Sequence, residues 1–262
     1  MFSRSRFAAL MAALMLLTAG LAQAEGGSKS FALDGFTGIA LKGSSHLEVV
    51  QGESFSVTAT GPADAMEFAN AEVKGDTLVL FVDSDKKSLF GVVTVTSEPE
   101  VRYHVTLPKI NKIRVTGSGE AHAEALESEQ LELKVTGSGV IRVDKVAAEE
   151  LNTEVTGSGD LLVGTVLAVS GSAGITGSGD LRLENFVGEA LSAQIRGSGD
   201  MVIGGKVGSL KVNIMGSGDF VGRALRANDA GGAIMGSGDI VLQRPANESF
   251  SVMGSGDIAL VD

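Results

Sequence analysis

Down the C-terminal two-thirds of the chain, apolar and polar residues alternate on both sides of a recurring Gly-Ser-Gly. Two residues before each first glycine stand Val115, Val135, Val155, Ile175, Ile195, Ile214, Ile234 and Val252. Two after each last glycine stand Ala121, Ile141, Leu161, Leu181, Met201, Phe220, Ile240 and Ile258, and four after it Ala123, Val143, Val163, Leu183, Ile203, Gly222, Leu242 and Leu260. Alternation at period two predicts strands. The motif starts at Gly117, Gly137, Gly157, Gly177, Gly197, Gly216, Gly236 and Gly254, in steps of 20, 20, 20, 20, 19, 20 and 18 residues. A fixed period in that range marks a solenoid, and one such coil holds two or three strands of about five residues with tight corners. The predicted fold is therefore all-β: a single-stranded parallel β-helix (β-solenoid) of ~20-residue coils. The glycines fall where the chain must turn sharply beneath the next coil. Val146, Val166, Phe186, Val207 and Leu225 are expected to fill a third side or corner.

Ahead of residue 117 the pattern is looser. Ile39 and Leu41 alternate before Gly43-Ser44-Ser45-His46, and Leu47 and Val49 after it, which makes a worn first copy with His46 in the later aspartate column. Strand-like stretches follow at 55–60, 72–80, 92–96 and 101–107, with a Gly75-Asp76 turn and a polar loop over Asp83–Ser88. Residues 31–116 are expected to form irregular coils of the same solenoid as 117–262, behind a flexible lead-in over 25–30. Residues 1–24 read as a signal peptide, with Arg4 and Arg6 before an apolar run from Phe7 to Leu21 and Ala22-Gln23-Ala24 as a cleavage site. The expectation is an exported protein, periplasmic or at the cell surface, with no membrane span.

The stretch from Val101 to Glu120, with its strand, Leu107-Pro108, the Lys109–Lys112 link and the first Gly-Ser-Gly, resembles the bacterial auto-transporter adhesin head (GIN) domain family. The Lys74-Gly75-Asp76-Thr77-Leu78 turn and the serial Gly-Ser-Gly-Asp motifs are similar to that family too, over roughly Phe36 to the C-terminus. The resemblance implies a right-handed parallel β-helix and an envelope role, and brings no catalytic residues with it. No membrane barrel follows the repeats, so the auto-transporter route is not expected.

Composition narrows the function. The net charge of −11 falls to −13 once Arg4 and Arg6 are removed, and no lysine or arginine block exists, which excludes nucleic acid as a natural partner. With no cysteine there is neither a disulfide framework nor a lipidated thiol. The serines of the motif recur too often to be a unique nucleophile. His46, His104 and His122 are read as lying in different parts of the repeat register without metal-ligand spacing. One tyrosine and no tryptophan leave few aromatic platforms for sugars. Enzyme chemistry is not expected.

Two columns draw notice. Glu120, Asp160, Asp180, Asp200, Asp219, Asp239 and Asp257 form a column, interrupted by Val140, in coils stacked at ~4.8 Å. The simpler expectation is that each carboxylate accepts hydrogen bonds from its own turn; the alternative is calcium bridging Asp160, Asp180, Asp200, Asp219, Asp239 and Asp257, with no other cofactor implied. The outward column before the motif runs Thr116, Thr136, Thr156, Thr176, Arg196, Met215, Met235 and Met253, and across the motif another reads Leu162, Arg182, Val202, Val221 and Val241. Met215, Met235, Met253, Val221 and Val241 are the interface candidates, for a homo-oligomer formed through the C-terminal coils. The chain stops in mid-strand, so its last coil either meets another copy or is kept soluble by Asp257 and Asp262. The leading expectation is an exported, non-catalytic scaffold or interaction module of the cell envelope, adhesin-like, whose envelope protein or glycan partner the sequence does not name. The alternative is a glycan-binding or polysaccharide-acting β-helix.

Overall fold

A computed structural model describes residues 26–83 and 100–262. The leader over 1–24, most of the polar loop after Asp83 and the strand at 92–96 lie outside the described residues. Where the repeats are regular, one strand bends around a whole coil: β9 (Glu120–Gly137), β10 (Val140–Gly157), β11 (Asp160–Gly177), β12 (Asp180–Gly197) and β13 (Met201–Gly216). Neighbours pair in parallel with equivalent letters facing, as in Val135 with Val155 and Leu161 with Leu181. The later coils break into shorter pieces: β14 (Phe220–Gly222) and β15 (Leu225–Gly236), then β16 (Ile240–Gln243), β17 (Asn247–Gly254) and β18 (Ile258–Val261), still stacked in parallel. This is the expected β-solenoid, with the aliphatic piles inside and almost wholly buried.

The Gly-Ser-Gly ridge explains itself sterically. First glycines have positive φ, from 110° at Gly117 to 141° at Gly236. The second glycine lies outside the positive-φ region, yet a Cβ at Gly139 would lie 2.6 Å from the Gly119 carbonyl oxygen and 2.7 Å from Val115 Cγ1. One glycine is there for conformation and the other for close approach.

The third side departs from expectation in one place. Val146, Val166 and Phe186 form a pile as foreseen, with Leu126 joining it at one end, but it continues through Gly205 to Leu225. Val207 sits instead over Gly188, because the register shifts between Leu183 and Phe186 where the coil is one residue short. Phe186 fills the space this leaves, its ring reaching towards Gly171 and Gly188.

The first copy of the motif occupies its predicted place. β2 (Gly38–Gly43) and β3 (His46–Gln51) lie directly on β8 (Lys112–Gly117) and on β9, with Gly43 opposite Gly117 and His46 opposite Glu120. Between them the chain does not coil onward as expected. It runs out through β4 (Ser56–Pro62), β5 (Ala69–Lys74) and β6 (Thr77–Val82), then returns as β7 (Arg102–Leu107). β6 and β7 stack in parallel on the far side of β2 and β3, while β4 pairs antiparallel with β7, and β5 with β6. The stretch 25–30, expected to be a flexible lead-in, falls largely within strand β1 (Gly26–Phe31), antiparallel to β4. The hydrophobic pattern gave strands but not their direction.

These antiparallel strands close the N-terminal end. Phe36, Ala65 and Met66 are buried there, and the turn after Pro62 is held by Ala65 N–H donating to the Pro62 carbonyl. Tyr103 is fully buried, its hydroxyl donating to the Phe81 carbonyl at 2.8 Å, and burial pushes its pKa up to about 12. The last coil at the opposite end is less well covered. Val252 is 41% exposed where Ile234 of the preceding coil is 0%, and Phe250, Ile258 and Leu260 are only partly buried.

Candidate functional site

The ridge carboxylates are held, though not as expected. The five aspartates from Asp160 to Asp239 accept from the backbone of the next coil rather than from their own turns. Asp180, Asp200, Asp219, Asp239 and Asp257 donate their N–H groups to the Oδ1 atoms of Asp160, Asp180, Asp200, Asp219 and Asp239, at 3.4, 3.1, 3.0, 2.8 and 2.7 Å. In earlier coils that N–H goes to a glycine carbonyl instead, as from Asp160 to Gly139. A backbone dipole pointing at each carboxylate offsets the repulsion along the file. Among the described residues no group of three or more His, Asp or Glu side chains is placed to hold a metal ion.

The methionine column is as the register required: Met215, Met235 and Met253 are paired in adjacent coils and 44%, 40% and 66% exposed. Val221 and Val241 are also paired but half-buried. The ridge with exposed Ser217 and Ser237 stands between the columns, so they form two stripes around a corner. The methionine stripe runs into the open terminal coil. A further apolar group was missed: Leu167, Val169 and Val187 project from the third side, 56%, 53% and 40% exposed. The unbroken run Val166-Leu167-Ala168-Val169 was its signal, since alternation forces half of such a run outward.

The histidines are a second correction. His104 and His122 share one column and flank Glu48, and His46 lies in the column beside them. His122 Nδ1 is 3.0 Å from Glu48 and its Nε2 3.7 Å from Asp144, while His46 lies between Glu100 and Glu120, and Arg142 pairs with Glu120. The hydrogen bond with Glu48 raises the His122 pKa. Because the folded value lies above the unfolded one, the contribution is complete below about pH 6.5 and is lost as pH rises through the raised value. The ring is well exposed, so the effect is below about 1 kcal/mol. His122→Asn is expected to remove a small excess of thermal stability at pH 5.5 over pH 8, read by melting at both.

The fold agrees with sequence comparison. The sequence profile described as "Putative auto-transporter adhesin, head GIN domain" matches residues 35–173 and again 164–261. The chain belongs to this family. Two successive matches fit its long run of coils, and membership makes it an adhesin-like protein of the cell surface or envelope. No curated protein sequence matches. Among solved structures the chain is similar to a "putative adhesin" from Parabacteroides merdae, with 18% identity, 92% of this chain and 98% of that one covered, and a TM-score of 0.77. It is also similar to a "putative lipid binding protein" from Parabacteroides distasonis, at 21% identity, 90% and 97% coverage and a TM-score of 0.73. A "putative adhesin" from Bacteroides fragilis gives 21%, 90%, 97% and 0.69. At these identities the likeness is one of fold.

Proposed function

We propose that this GIN-domain protein is an exported, non-catalytic contact module of the cell envelope that associates with copies of itself through its C-terminal coils. What supports the reading above all is the methionine stripe, Met215, Met235 and Met253, running into a coil end whose interior residues are uncovered. Exposed contiguous apolar surface is what a contact site presents, and methionine adapts its shape to the surface it meets. The closed N-terminal end offers no comparable surface among the described residues. The leader-like sequence over 1–24 supports export, and the repeated ridge and polar outer columns supply shape without a unique nucleophile. Met235→Asp is expected to lower the mass found by sizing with light scattering. An unchanged mass would remove the self-association.

A further inference from the structure

The third side of the solenoid begins one strand late. β3 ends at Gln51 and the chain leaves for β4, while β8 takes up the stack only at Lys112. Residues 125–130 of β9 therefore pair with β10 on one side and, among the described residues, with no strand on the other. Gln51 occupies that edge with its side chain alone. Its Nε2 donates to the Glu127 carbonyl at 2.9 Å, and its Oε1 accepts from the Glu127 N–H at 2.7 Å. One carboxamide thus makes both bonds that a neighbouring strand would make. Backbone alternation turns the N–H and C=O of Ala125 the same way.

Over this edge lies an open groove of about 760 Å³, lined by Gln51, Lys109, Ile110, Glu127, Glu129 and Glu149. It shares Gln51, Glu127, Ala147 and Leu167 with a second groove of about 730 Å³. Among the described residues, Glu53, Glu127, Glu129 and Glu149 face Lys109 and Lys145, and no aromatic ring lines either groove. The charge asks for a basic ligand, the unpaired backbone asks for another backbone, and sugar-stacking surfaces are missing.

We propose that the open edge of β9 at Ala125–Gln130 is a β-addition site for an extended peptide segment of a partner protein with basic side chains at alternate positions, and that Gln51 is the placeholder it displaces. Strand addition draws affinity from main-chain hydrogen bonds and selectivity from alternate side chains. Outward lysines meet Glu127 and Glu149, and inward apolar residues meet Ile110. The site is separate from the C-terminal coils and does not depend on self-association.

The test uses fluorescein-labelled acetyl-(Val-Lys)₃-amide and the full-length protein, read by fluorescence anisotropy at low salt. The expected result is saturable binding that weakens at least about tenfold when alternate peptide nitrogens are methylated, since the backbone bonds to the edge are lost. Gln51→Ala should tighten binding several-fold by removing the competitor, whereas a purely structural Gln51 would leave it unchanged. Glu127→Pro should abolish most binding while the ladder with β10 persists, because the N–H lost is the one turned towards Gln51. Glu127→Gln, which keeps that N–H, should retain more. Equal affinity for methylated and parent peptides, equal binding of oligolysine, or unchanged affinity in Gln51→Ala would overturn the proposal.

Discussion

Gly197→Ala is expected to destabilise the rod by about 4 kcal/mol or more, the loss being concentrated in the coils that stack on β12. Two costs coincide there. The backbone sits at φ 130°, which an L side chain rarely adopts, and the added Cβ would land inside contact distance of the Gly177 carbonyl oxygen. That oxygen already accepts from Ser198 and Gly199 and cannot yield without breaking the coil below. Gly75→Ala separates the two costs, since Gly75 has φ 64° with nothing within 4 Å of the new methyl. It should lose only about 1 kcal/mol. Urea unfolding of both proteins, with hydrogen exchange at Ile214 and Ile234, checks the contrast. Equal losses would mean that conformation alone, and not the stacking of glycine upon glycine, dictates the ridge.

The second large effect is at Phe186, where Phe186→Ala should cost about 3–5 kcal/mol. The ring lies among positions emptied for it: Gly171 stands where neighbouring coils carry Leu151 and Leu191, and a Cβ there would lie 2.6 Å from Phe186 Cε2. Gly171→Leu is therefore expected to be harmful alone and to restore part of the loss in the Phe186→Ala background, a reversal of sign measurable by a double-mutant cycle. If Gly171→Leu destabilised both backgrounds equally, the pairing of large and small across coils would be wrong.

The coils from residue 117 onward were legible because each interior letter has a copy about twenty residues away, and the stacking of Val135, Val155 and Ile175 follows from that repetition alone. The single misplaced interior residue, Val207, lies at the one-residue deletion, where counting letters and counting space diverge. The N-terminal strands were read as strands but not as antiparallel, since alternation is the same in both directions. The histidines were misjudged for a related reason: His104 and His122 are neighbours of Glu48 only because β3 is threaded between β7 and β9. Gln51 was invisible in sequence, as nothing local shows that a side chain will stand in for a missing strand.

That threading governs how the molecule can assemble. Contacts between successive regular coils join residues about twenty apart, but Gly43 must find Gly117 across 74 positions, an added closure entropy of only about 1 kcal/mol. The separation matters more than the energy: β2 and β3 have no floor until β8 and β9 are in place and no roof until β6 and β7 have turned back over them. β2 and β3 are thus held by strands far downstream, whereas each regular coil meets its neighbour about twenty residues away.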